Sequence, residues 1–202
     1  MSLRPLTHWR TTDDTDETGV AAEPEAVEPA EAEDAWTAQV APVLSEVAGR
    51  YQQLITHTDL AARLQDATGL FTRTSPNSWM DRVLAAAAAL DVTEDRPPLT
   101  ALVVHKTHGT VGEAYVEVLK LRNQAPIADP IKREKHAAEA RMECYRWAEA
   151  KMPDDGGHPA LSPKFDMIVT RDRKKARAEA MPDVCPNCFM AIPPTGICDS
   201  CA

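Results

Sequence analysis

The stretch Leu99-Thr-Ala-Leu-Val-Val-His-Lys-Thr-His-Gly-Thr-Val-Gly-Glu-Ala-Tyr-Val-Glu-Val118 decides how the fold is read. Leu99 to Val104 is a short apolar run bounded by Pro97-Pro98 upstream and by the polar turn His105–Thr110, with Gly109, downstream. That is the composition of a strand entering a turn. Val111-Gly112 leads to Tyr115, Val116 and Val118, which read as the returning strand. The sequence therefore predicts a β-hairpin over 99–118.

Working upstream, the period changes to that of helices. Val40, Val43, Leu44, Val47, Tyr51 and Leu54 recur every three or four positions, as one face of an amphipathic helix requires. Thr56-His57-Thr58 interrupts that helix, and Thr58 is placed to cap a second one carrying Leu60, Ala61 and Leu64 and closed by Gly69. Ser75-Pro76 reads as an N-cap with proline at the first helical position of a third helix, running through Trp79, Val83 and Leu84 to Leu90. Downstream, Asp129-Pro130 opens a long helix to about Lys151, and Ser162-Pro163 opens a last one whose second half, Arg171 to Arg177, is basic. Three helices followed by two strands is the order of a winged helix. The fold class expected is α+β and mainly helical, with a winged-helix-like body, a long helix and a small C-terminal zinc ribbon.

The division along the chain follows charge and composition. Residues 1–36 hold ten acidic side chains against Arg4 and Arg10, which is −8 of the net −9. From Thr11 to Asp34 only Val20 and Val27 are large and apolar, too little to offset the entropy of ordering. The sequence accordingly predicts a disordered acidic tail over 1–35, a winged-helix-like domain over 36–125, a helical extension over 126–181 and the zinc ribbon over 182–202. No run of eighteen apolar residues exists and the N-terminus lacks an apolar signal core, so a cytoplasmic protein with no membrane partner is expected.

The strongest chemical signal is at the C-terminus. Cys185-Pro-Asn-Cys188 and Cys198-Asp-Ser-Cys201 are two Cys-x-x-Cys turns separated by nine residues. Each turn faces two sulfurs to one ion, and two turns complete the closed tetrahedral shell of a structural zinc site. Pro193, Pro194 and Gly196 suit a hairpin folding one knuckle onto the other, and Pro182 separates the module from what precedes it. The competing redox dithiol needs one such pair between a strand and a helix, which this Pro-rich segment does not offer. Cys144, the fifth cysteine, reads as a small core residue.

Several segments carry a resemblance as well: Ile55-Thr-His-Thr-Asp-Leu60, Asn77-Ser-Trp-Met80, Pro98 to Val104, Gly109-Thr-Val-Gly-Glu-Ala-Tyr115 and Pro194 to Cys201. Together they resemble small actinobacterial proteins that combine a winged-helix-like domain with a C-terminal four-cysteine zinc-ribbon module. The resemblance implies an architecture and no activity. The helices and hairpin are also distantly similar to the winged-helix part of alkyltransferase-like DNA-binding proteins, but their reactive Pro-Cys-His-Arg is absent here.

If the third helix (75–90) enters a major groove, Arg73, Thr74, Ser75, Asn77, Ser78 and Arg82 are placed to touch DNA. Arg pairs with guanine and Asn with adenine, while Ser and Thr reach phosphates. The hairpin tip would add His105, Lys106, Thr107 and His108. The basic run Arg171, Arg173, Lys174, Lys175 and Arg177 reads either as phosphate contact or as a solvated helix face. His105-x-x-His108 also invites a metal reading, but the turn itself holds no third ligand. No nucleotide-binding loop, serine elbow or His-Glu-x-x-His motif is present. The function expected is thus non-enzymatic: a duplex-DNA-binding regulator or mobile-element or phage-related factor with a structural zinc ion. The alternatives are a protein-interaction adaptor docking through the zinc ribbon and acidic tail, and a nuclease-associated subunit.

Overall fold

A computed structural model describes residues 7–11, 23–179, 184–192 and 197–201. The chain divides into two compact units, residues 1–165 and 166–202.

In the first unit, α1 (Pro29–Ala48) sets the core, burying Trp36, Val40, Val43, Leu44 and Val47 on one face. Pro29 stands at the start, where its missing N–H removes no helical hydrogen bond. Trp36 is fully buried. Its ring lies 4.3 Å from that of Trp79, and its Nε1–H donates to the Leu70 carbonyl at 3.2 Å. Burying such a side chain stabilises by about 1.5–3 kcal/mol, and the satisfied N–H lets it do so without an orphaned donor.

Order begins well before Trp36. β1 (His8–Arg10) lies between β2 (Glu25–Ala26) and β4 (Leu70–Thr72), antiparallel to both, with Trp9 opposite Ala26 and Phe71. His8 is buried, its ring 6.0 Å from that of Trp36. The expected tail over 1–35 is thereby corrected for residues 7–11 and 23–35. Acidic composition diluted a local signal, because His8 and Trp9 supply a strand that completes the β4 edge. Residues 1–6 and 12–22 lie outside the described residues.

α2 (His57–Thr68) is capped by Thr56, whose hydroxyl accepts the Asp59 N–H at 3.2 Å, and not by Thr58. It ends as expected at Gly69, with φ at 67°. Ser75-Pro76 opens only a 3₁₀ turn (Pro76–Ser78), and α3 starts later, at Met80, and runs to Thr93.

The hairpin over 99–118 does not form. Leu99–Leu102 is a buried 3₁₀ turn, and β5 (Val103–Val104) pairs in parallel with β3 (Ile55–Thr56), register Ile55 to Val103 and Thr56 to Val104. The intervening turn is tight: the His105 N–H donates to the Thr110 carbonyl and the Gly109 N–H to the His105 carbonyl, both at 2.8 Å. The expected second strand is α4 (Tyr115–Leu121), which buries Tyr115, Val118 and Leu119. That spacing of three and four is helical, and it outweighs the β-branched preference of Val116 and Val118. A mainly helical fold stands, but without the strand pair that a wing needs.

α5 (Pro130–Trp147) starts as expected, with the Asp129 carboxylate accepting the Lys132 N–H at 2.8 Å. Met142, Cys144 and Tyr145 join the same core as α1, and Ala137 and Ala140 pack with Tyr115 and Val118. The boundary expected at residue 125 is therefore absent, because α5 completes the body. α6 (Pro163–Glu179) is the last helix described. At its start Ser162 accepts the Phe165 N–H at 3.2 Å. No helix among the described residues is long and apolar enough to cross a membrane.

Candidate metal centre

The second unit carries the cysteines. Local hydrogen bonds shape the first knuckle: the Phe189 N–H donates to the Cys185 carbonyl at 2.8 Å, and the Cys185 N–H to the Met190 carbonyl at 2.9 Å. Phe189 takes a positive φ of 57°, which lets the chain reverse within the turn. Val184 and Ala191 then pair as an antiparallel bridge. In the second knuckle the Cys201 N–H donates to the Cys198 carbonyl at 3.3 Å. Pro182, Pro193, Pro194 and Gly196, invoked for the hairpin and the boundary, lie outside the described residues.

The sulfurs of Cys185, Cys188, Cys198 and Cys201 all lie within 4.8 Å of one another. Cys185 Sγ is 3.9 Å from Cys201 Sγ, and Cys188 Sγ is 3.4 Å from Cys198 Sγ. Four thiolates held about 2.3 Å from one ion place neighbouring sulfurs roughly 3.8 Å apart, so the cluster fits a tetrahedral metal shell. It is also far from the roughly 2.05 Å of a disulfide. Backbone N–H groups of Cys188 and Asn187 aimed at Cys185 lower its thiol, whereas that of Cys188 is raised, against the Met190 N–H, by the neighbouring Cys201 and Cys198 sulfurs. These four cysteines could hold a metal ion.

Neither a family model, nor a curated protein, nor a solved structure matches this chain.

The residues expected to touch DNA lie around the Pro76–Ser78 turn and the start of α3, in the turn after β5, and on α6. Arg73 is exposed and lies over the Trp9 ring at 5.5 Å. Thr74 is bonded to Thr72, and Ser75 and Asn77 are exposed around the 3₁₀ turn. Arg82 is held by Glu33 in a two-pronged ion pair, with Nε to Oε2 at 2.9 Å. The other exposed residues of α3 are chiefly Ala86, Ala89, Leu90, Val92 and Thr93, a poor set for reading base edges. Lys106 is exposed, and its carbonyl accepts the Lys164 ammonium. Arg173, Lys174 and Lys175 belong to the second unit, all exposed on α6.

His105 is not at the tip of a wing. It is half-buried, its ring 4.1 Å from that of His57 and 5.0 Å from that of His108. Burial, then the neighbouring charges of His105 and His108, push His57 down to about 4, so it is neutral at neutral pH. His57 escaped the sequence reading because 48 positions separate it from His105. The parallel pairing of β3 with β5 brings them together, since each histidine is the residue that follows its strand.

Proposed function

We propose that this chain is a non-enzymatic DNA-binding protein, of the regulator or mobile-element and phage-related type. In this reading it grips the phosphate backbone of duplex DNA with α6 and holds a structural zinc ion in the adjoining thiolate module. One observation carries the reading. Arg171, Arg173, Lys174, Lys175 and Arg177 fall within seven exposed helical residues interrupted by a single acid, Asp172. Arg171 pairs with Asp172 and Lys175 with Glu179, while Arg173, Lys174 and Arg177 have no ion pair among the described residues. Such a run suits phosphates, which it would bind without reading sequence. Zinc is the metal of choice for four thiolates, because soft sulfur ligands in a closed tetrahedron match it. Ligation by four thiolates also requires the reducing conditions of the cytoplasm, where this reading places the chain.

The test is binding of the full chain to random-sequence duplex at two salt concentrations. Affinity should fall steeply with salt. Changing Arg173, Lys174 and Lys175 together to Ala should weaken binding to all sequences alike and reduce the salt slope by about 0.9 for each phosphate no longer neutralised. No binding at low salt, or an unchanged slope, would end the DNA reading.

A second reading, a protein-docking adaptor, is favoured by a different observation on the same unit. Phe189, Met190 and Ile197 are 79%, 58% and 61% exposed around the thiolate cluster. Apolar side chains of that size kept in water beside a rigid metal module suit a protein partner. Replacing Phe189 by Ser would then abolish a protein complex and leave DNA affinity unchanged.

A further inference from the structure

The first unit brings four chemistry-bearing side chains together from three separate segments. His57 opens α2, Asp81 lies in the first turn of α3, and His105 and His108 flank the tight turn after β5. Gly112 sits among them. A methyl group on Gly112 would come within 3.0 Å of His57 Cε1, 3.1 Å of Asp81 Oδ1 and 3.1 Å of His105 Nε2. Two imidazoles and a carboxylate oxygen thus converge on the space that the missing side chain leaves open.

Two of the polar atoms there are buried without a partner. His57 is 3% exposed, and neither its Nε2 nor Asp81 Oδ1 makes a hydrogen bond. A buried carboxylate oxygen and a buried imidazole nitrogen left unmatched are each costly, and two of them facing one space call for something between them. Two imidazoles bound at about 2.0–2.1 Å to one ion hold their ring centres roughly 4.5–5 Å apart; His105–His108, at 5.0 Å, matches this, and His57–His105, at 4.1 Å, has to open slightly to reach it. His108 is further oriented by Thr110, whose hydroxyl lies 2.9 Å from Nδ1, which leaves Nε2 as the ligating atom. Glu113 adds negative charge beside His105 at the exposed side.

We propose that His57, Asp81 and His105, with His108 at the mouth, form a second metal site that takes one divalent transition-metal ion. Imidazole and carboxylate donors select zinc, iron, cobalt or nickel over calcium or magnesium. Among the described residues only the four cysteines already hold their ligand atoms within 4.8 Å of one another, so binding at this site requires the side chains around Gly112 to reorient. The site opens to solvent at the exposed His108. The site does not depend on the DNA reading and survives its failure.

The test uses the full, tag-free chain with its thiolate module already loaded with zinc, titrated with Co²⁺ alone. The expected result is one further equivalent bound, with visible d–d absorption and no sulfur-to-cobalt charge-transfer band in the near ultraviolet. His57→Asn, Asp81→Asn and His105→Asn should each weaken Co²⁺ binding at least about tenfold. Gly112→Ala keeps every ligand but fills the space, and it should weaken binding by a similar factor. His105→Asn and His108→Asn change side chains that are partly or fully exposed, so they carry the test if the buried variants do not fold. Three results would overturn the site: no equivalent beyond the thiolate zinc, a charge-transfer band showing that cobalt entered the cysteines, or affinity unchanged in His105→Asn and Gly112→Ala.

Discussion

Glu134 and Arg141 stand two turns apart on α5 and meet as an ion pair at 2.7 Å, the carboxylate fully buried and the guanidinium 2% exposed. Each also ties down a neighbouring segment. Glu134 accepts the Val111 N–H at 3.0 Å, and Arg141 donates from Nε to the Ala101 carbonyl at 2.7 Å. Ala101 and Val111 bracket the segment that carries β5, His105 and His108, so this pair fixes both ends of the histidine turn.

Removing one partner should be severe. Arg141→Met leaves a carboxylate in the core without its cation, which typically costs about 3–5 kcal/mol. The remaining Nη donors of Arg141 make no aligned hydrogen bond, so the pair is held by charge more than by a saturated network. The double change Glu134→Leu with Arg141→Met should therefore cost less than Arg141→Met alone. Urea unfolding of the wild type, Glu134→Leu, Arg141→Met and the double variant decides it, and additive losses would show that the two charges are not coupled.

Deletion of residues 1–11 should destabilise the body. It removes β1 from between β2 and β4 and uncovers Trp36 where His8 packs on it. The loss of that burial is worth about 2 kcal/mol. A melting temperature unchanged by the truncation would mean that the segment is a tail after all.

The parts of this architecture that were legible in the sequence are those encoded by close neighbours. Two residues between each pair of cysteines sufficed to place four sulfurs together. Asp129-Pro130 marked the start of α5 and Gly69 the end of α2, because capping is chemistry within one turn. What failed depended on distant partners. β3 and β5 are two residues each, too short to show an alternating pattern, and their pairing places His57 beside His105 across 48 positions. Val103-Val104 has strand chemistry, but nothing nearby tells whether its partner follows in the chain or precedes it. Trp9 was lost for a related reason: an acidic composition was averaged over a strand only three residues long.

Cys144 should be inert to thiol reagents in the folded protein. It is fully buried, its Sγ bonded to the Pro98 carbonyl at 3.4 Å, and burial pushes its thiol well above the ordinary range. A disulfide reagent added to chelator-treated protein should label four cysteines quickly and the fifth only as fast as the body opens. Five fast thiols would place Cys144 in a region that opens locally.

Metal removal should act on one unit only. The thiolate module has almost no apolar core of its own: Val184, Phe189, Met190 and Ile197 are all more than half exposed. A metal ion held there would supply most of its folding energy, since four thiolates gathered within 4.8 Å repel one another without one. The body, in contrast, is closed by Trp36, Trp79, Leu44, Leu60 and Leu102 and needs no thiolate metal. A strong chelator, or Cys188→Ser, should therefore abolish protection of the amides in 185–201 in hydrogen exchange. In Cys188→Ser the cooperative melting of the body should shift by no more than about 1 °C, because its buried area is unchanged. Using Cys188→Ser as well as the chelator separates the thiolate ion from any ion held by the histidines. A fall in the body's melting temperature on chelation but not in Cys188→Ser would assign that stability to the His57 site. Retained protection of 185–201 in both would show that the cysteine module folds without metal.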